Sequence, residues 1–207
     1  MKNLISFLYL TKLGGLMGGY TEENLKLLAQ TAKDQKVNLI LIESNFGDCM
    51  FTELFKPFLR KIDYAVTIEE VRHSTQKEAR IIDTLEPVMN QHKLIVDRTV
   101  VEWDFKPTQK MPPEEQLQYQ LFYQKTRITR DRGALVHDDR LDALAMAVAY
   151  WVEQMGTIAS AALQERREEL LRDEVTNTLR DYERGLTAFL GAVPQGFTGN
   201  NFLGRRR

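Results

Sequence analysis

Asp138, Asp139 and Asp142 fall within five consecutive residues, directly ahead of the small and apolar run Ala143-Leu144-Ala145-Met146-Ala147. On a helix Asp142 shares a side with either Asp138 or Asp139, and Leu141, Leu144, Ala145, Val148 and Trp151 form the apolar stripe behind them. Carboxylates held that close repel one another, and one is driven toward protonation unless a divalent cation neutralises both. The predicted chemistry is therefore the binding of a hard, oxygen-preferring ion such as magnesium or manganese. Helix capping alone also places an Asp at such a start. One cap needs one Asp, however, and here there are three.

A second acid stands out by position. Val37 to Glu43 is nearly continuous apolar sequence ending in Glu43, which predicts a buried strand with a carboxylate at its end, where α/β proteins place ligands. Glu43 opening a solvated loop is the plain alternative. The basic stretch Arg127 to Arg132 precedes the acidic cluster, and Lys77 and Arg80 lie on a helix with apolar Ile81, Leu85 and Met89. Basic groups beside a metal site can hold phosphates, and they can equally be solvated surface.

The elements that must position these residues alternate. A strand is predicted at Ile5 to Leu10, then a glycine-rich turn at Gly14, Gly15, Gly18 and Gly19. A helix capped by Thr21 runs to about Lys36, and the buried strand follows. A helix from Met50 to Lys61 contains Pro57, which predicts shortening or a kink. A strand at Tyr64 to Val71, a helix capped by Ser74, and a short strand at Leu94 to Val96 complete an α/β pattern. Lys106 to Pro113 reads as loop and Glu114 to Thr126 as helix. Gln164 to Gly185 is a highly charged helical extension with an apolar seam of Leu163, Leu170, Leu171, Val175 and Leu179, and the glycine- and asparagine-rich end with three arginines reads as a mobile tail.

Composition sets bounds. At 207 residues with 43% apolar residues the chain can form one core with appendages. A net charge of -1 gives no global basic signature, so any DNA contact relies on local patches and metal ions. The single cysteine, Cys49, excludes an internal disulfide and a cysteine-based zinc cluster, and reads as a small, partly buried thiol. No apolar run approaches a membrane span. No Walker-type phosphate loop occurs, so ATP hydrolysis by this chain is not expected.

Several motifs occur together in order: Ile42-Glu43-Ser44-Asn45-Phe46-Gly47-Asp48, Thr84-Leu85-Glu86-Pro87-Val88-Met89, Leu121-Phe122-Tyr123-Gln124, Arg127-Ile128-Thr129-Arg130 and His137-Asp138-Asp139-Arg140-Leu141-Asp142-Ala143-Leu144. From Leu8 to Trp151 the chain resembles the nuclease domain of the phage terminase large subunit, particularly the DNA maturase B group of autographivirus-type podophages. Past Trp151 no likeness is evident. The Asp139-Arg-Leu-Asp142-Ala-Leu-Ala segment is also similar to the last motif of RuvC-like junction resolvases.

The resemblance implies an RNase H-like (RuvC-like) α/β fold, a mixed central sheet flanked by helices with a helical C-terminal extension. It implies a two-metal endonuclease cutting concatemeric double-stranded phage DNA in the host cytoplasm. Partners would be the ATPase motor polypeptide, the small terminase subunit and the portal, with no membrane involved. Glu43, Asp139 and Asp142 match the catalytic, metal-holding acids for two magnesium or manganese ions. Asp138 is then an auxiliary ligand and His137 a neighbour that supports the ligands, with Lys77, Arg80, Arg127 and Arg130 on the DNA. Expected domains are 1–156 for the nuclease, 157–185 for the charged extension and 186–207 for the tail. The family's first-strand Asp finds no match, nor does the motor domain, so the chain reads as N-terminally truncated or as a separately encoded half. A weakened site follows from that expectation. The competing reading is a non-catalytic docking module of the packaging motor that binds DNA or portal. A junction resolvase preferring branched DNA is a third.

Overall fold

The computed structural model describes residues 7–44 and 50–191, with side chains as far as 188. Cys49, the last four residues of the Ile42–Asp48 motif and the arginine-ended tail lie outside the described residues. Contacts divide the chain into Met1–Gln154 and Met155–Arg207.

In the first unit strands and helices alternate as β1 (Leu8–Leu10), α1 (Glu22–Asp34), β2 (Leu39–Glu43), α2 (Met50–Lys61), β3 (Thr67–Val71), α3 (Lys77–Asn90) and β4 (Leu94–Val96). The chain continues through α4 (Arg98–Phe105), a 3-10 turn at Lys106–Lys110, α5 (Pro113–Gln116), a second 3-10 turn at Leu117–Tyr119, α6 (Leu121–Arg127) and α7 (Asp139–Gly191). Thr21 caps α1 as predicted, accepting from the Asn24 N–H at 3.3 Å. Gly18 and Gly19, just ahead of it, take positive φ values of 92° and 68°, where a side chain would be strained.

Both strand ladders are parallel. β1 pairs with β4, Leu8 opposite Leu94, and β2 pairs with β3, Glu43 opposite Val71. Among the described residues these are two two-stranded sheets, not the single mixed sheet expected, and β2 is half-buried along its whole length.

Three further expectations are corrected. Pro57 sits inside α2 without shortening it, and the helix spans Met50–Lys61. Ser74 does not cap α3, which starts later, after Gln76 and without a side-chain cap bond. The segment read as one loop and one helix from Lys106 to Thr126 is instead a series of short helical turns. Two prolines, at 112 and 113, open one of these turns rather than a loop, since proline suits a first helical position.

Two apolar clusters hold the unit together. One joins Leu25, Ala29 and Ala32 of α1 to Phe55 and Leu59 of α2. The other packs Ile81, Leu85 and Val88 of α3 with Leu121 of α6 and Leu141, Ala145 and Val148 of α7. The i, i+4, i+7 spacing on both α3 and α7 puts each set on one face. Trp151, the last residue of the predicted stripe on α7, is half exposed.

A buried polar joint fixes the start of α7 against α4 and α6. Arg140 donates to the Asp104 carboxylate at 2.5 Å and to its backbone carbonyl at 3.0 Å. The same carboxylate accepts from the Leu121 and Phe122 N–H groups at 2.8 and 3.2 Å, capping α6. Gln124 accepts from the Leu141 N–H at 3.0 Å. Gly15 lies against the Arg140 guanidinium, where a Cβ would come within 3.4 Å.

The second unit is the helical chain from Met155, with Leu163, Leu170, Leu171, Val175, Leu179, Tyr182 and Leu186 exposed along it. Among the described residues no helix is long and apolar enough to cross a membrane.

Asp104→Ala leaves Arg140 charged and unpaired while uncapping α6, so it should lower stability by about 3–5 kcal/mol in urea unfolding. A loss below about 1 kcal/mol would mean the joint is not what seats α7.

Candidate metal centre

Three elements converge on the acids. β2 delivers Glu43 at its C-terminal end, α3 delivers Lys77 and Arg80 in its first turn, and the start of α7 delivers Asp138 and Asp142. The α3 to α7 apolar seam sets their register, because Lys77 and Arg80 precede Ile81 while Asp138 and Asp142 flank Leu141. Acids at the first turn of α7 also meet the positive end of its dipole.

The resulting cluster is a chain of ion pairs. Lys77 Nζ lies 2.8 Å from Asp138 and 3.1 Å from Asp142. Arg80 donates to Asp142 at 2.8 Å and lies 3.6 Å from Glu43. The Asp142 side chain is 7% exposed and that of Arg80 13%, whereas Lys77 keeps 37% of its surface. Arg80 Nε is buried and has no hydrogen-bond partner among the described residues. Burial alone would pull the Lys77 ammonium down. The hydrogen bonds and charges of Asp138 and Asp142 outweigh it and hold the pKa above its ordinary value of 10.5.

The predicted residues divide between places. Glu43, Asp138 and Asp142 are linked through Lys77 and Arg80. Asp139 is exposed at the first position of α7. His137 stacks on Tyr119 with ring centroids 4.0 Å apart and lines a cavity of about 240 Å³ with Arg127, Tyr123 and Gln118. Arg127 lies over the Tyr123 ring. Arg130 pairs with Asp83 of α3 at 2.7 Å, which raises its pKa. Two more bonds tie the loop before α7 to α3: Gln76 donates to the Arg130 carbonyl at 2.8 Å, and the Gly133 N–H donates to Glu78 at 2.6 Å. That backbone bond holds the Glu78 carboxyl below its usual range.

Sequence reasoning missed Asp104, Arg140 and Gln124 as buried supports. A readable signal existed for Asp104, an acid between Trp103 and Phe105 in an otherwise amphipathic turn. It also treated Lys77 and Arg80 only as DNA contacts, although their i, i+3 spacing at a helix start marks one charged face.

Carboxylate oxygens are the donor type that hard divalent ions take, but the geometry of the described residues does not gather them into a site. Among the described residues no three His, Cys, Asp or Glu side chains stand close enough together to hold an ion. The acids are spaced by the two basic side chains instead.

Comparison with known proteins gives a consistent picture. Residues 1–94 match the family described as Terminase Bacteriophage T7, Ribonuclease H-like domain. The chain is 36% identical over 190 residues, 92% of its length, to the terminase large subunit of Enterobacteria phage T3. It spans about a third (32%) of that relative's length. A similarity of 190 residues cannot end at Trp151, so it corrects the expectation that likeness stops there.

The raised Lys77 pKa fixes a sign for pH dependence. Its contribution to stability is complete below 10.5 and is lost as pH rises through the higher folded value. Unfolding free energy should therefore fall more steeply above pH 10.5 in the wild type than in Lys77→Met, measured by urea titration at stepped pH. Parallel curves would show that the ion pairs do not persist in solution.

Proposed function

This chain is a homologue of phage terminase large subunits with a T7-type RNase H-like domain, and from that premise we propose that it is the metal-dependent endonuclease module of a DNA-packaging terminase. Its substrate is concatemeric double-stranded phage DNA in the host cytoplasm, and it works with the ATPase motor, the small terminase subunit and the portal. The observation that carries the reading is the meeting of Glu43 with Asp142 and Asp138 across β2 and α7, bridged by Lys77 and Arg80. Hydrophobic packing would bury such a set of charges only at a cost, and function accounts for it.

Glu43 and Asp142 are the sheltered donors, Asp138 the auxiliary one, and Asp139 the acid at the exposed rim. When bound, two magnesium or manganese ions supply charge stabilisation for the attacking and leaving oxygens of an in-line displacement at phosphorus. The protein's own contribution is to hold the carboxylates in register through the α3 to α7 seam and to present cations to phosphate. Arg127, beside His137 and Tyr123, offers the duplex a second basic contact. Glu43 stands at the C-terminal end of β2, the end of a parallel strand at which α/β proteins hold ligands.

The second reading is a docking module of the packaging motor that binds DNA or portal without cutting. The exposed apolar residues from Leu163 to Leu186 favour it for the helical extension. The two readings separate on one experiment, plasmid nicking in manganese with and without the motor polypeptide. Asp142→Asn and Asp139→Asn should each lower nicking by about 100-fold or more while DNA or portal binding survives. Nicking that persists in Asp142→Asn, or is absent from wild type in every mixture, leaves docking as the function.

A further inference from the structure

A second set of polar side chains surrounds the loop between α6 and α7. Gln118, Tyr123, Arg127 and His137, with residues 134–136, line a cavity of about 240 Å³ to which no carboxylate contributes. Arg80, Arg130 and Arg140 are each paired with an acid. Arg127 is exposed, and among the described residues its guanidinium pairs with no acid and lies over the Tyr123 ring, 5.7 Å from the centroid. Its charge is therefore free to take an anion. The lining side chains add a phenol, an imidazole and an amide, all able to donate hydrogen bonds. A planar guanidinium fork beside such donors matches the oxygens of a phosphate.

Size and stacking narrow the ligand. The cavity is smaller than the roughly 300–1,000 Å³ of pockets that take whole small molecules. Its rings are already engaged, His137 on Tyr119 and Tyr123 under Arg127, so a single phosphate group suits it better than a stacked base. Three contacts hold the loop to α3 before any ligand arrives: Arg130 to Asp83, Gln76 to the Arg130 carbonyl, and the Gly133 N–H to Glu78. A wall fixed in this way has little freedom left to lose on binding.

Resting on DNA as the ligand, which both readings above allow, we propose that this cavity seats one phosphate of a DNA strand, with Arg127 supplying the charge and His137 and Tyr123 the hydrogen bonds. The general basic contact at Arg127 becomes a defined site. The seat recognises backbone and not sequence, so its work is positional. His137 directly precedes Asp138, so a strand held there is registered against the start of α7.

The test is fluorescence anisotropy of a labelled duplex titrated with the full chain over a range of salt concentrations. Arg127→Gln should weaken binding about tenfold. It should also reduce the slope of log affinity against log salt by about 0.9, the signature of one lost phosphate contact. Arg127→Lys keeps the charge, so it should keep the slope while losing part of the affinity. His137→Phe keeps the ring stack and removes the imidazole donor, and should weaken binding about two- to tenfold. Lys26→Gln removes the same charge from α1, where Lys26 pairs with Glu22, and should leave affinity and slope near wild type. Duplexes ending in phosphate or in hydroxyl separate the two sources of the group. An Arg127 effect equal on both places a backbone phosphate in the seat, and one confined to phosphorylated ends places a terminal phosphate there. In the wild type, the His137 ring resonances should shift when the duplex is added, a readout that depends on no variant folding. An Arg127→Gln slope equal to wild type or matched by Lys26→Gln, or His137 resonances that do not move, overturns the seat and leaves the DNA-binding reading intact. Failure of the wild type to bind any duplex overturns that reading itself, and the seat with it.

Discussion

Asp142 is a carboxylate almost removed from water at the start of a long helix, and the cost of burying that charge organises what surrounds it. An isolated buried carboxylate is unstable by several kcal/mol, so the chain has to bring cations to it. They come from α3, one turn ahead of the apolar face that α3 shares with α7. Packing and charge are thus two parts of one arrangement. Ile81, Leu85 and Val88 meet Leu141, Ala145 and Val148, and that contact carries Lys77 and Arg80 to the acids.

The Arg140–Asp104 joint does for the backbone of α7 what Lys77 and Arg80 do for its acids. Arg140 stands between Asp139 and Leu141, so its side chain leaves the helix away from the carboxylate cluster and anchors on α4 instead. With Gln124 holding the Leu141 N–H, the first turn of α7 is fixed from two directions. Preorganisation of this kind holds side chains in place.

Local signals made much of this readable. Thr21 announced α1, the apolar run announced β2 and its terminal Glu43, and the spacing of Leu141, Ala145 and Val148 announced the buried face of α7. Where the reading failed, the deciding partner lay far along the chain. The turns from Lys106 to Tyr119 end on α6, whose free amides are satisfied by Asp104, and no local pattern predicts that bond. Lys77 and Arg80 are separated from their acids by 61 and 62 positions, so their basic character was legible and their occupation was not. Pro57 misled in the other direction: a residue that breaks isolated helices is carried by α2 because Phe55 and Leu59 on either side are anchored in the first core. Asp139 illustrates a remaining gap between motif and geometry, since spacing groups it with Asp142 while the fold leaves it exposed.

The two ladders differ in how their edges are dressed. β2 and β3 carry Glu43, Glu69 and Glu70, and acids along an edge discourage a foreign strand from pairing there. β1 and β4 read Leu-Tyr-Leu and Leu-Ile-Val, with Tyr9, Ile95 and Val96 exposed and no charge in either strand. Addition of a foreign strand is therefore opposed by charge at the β2–β3 pair and not at the β1–β4 pair.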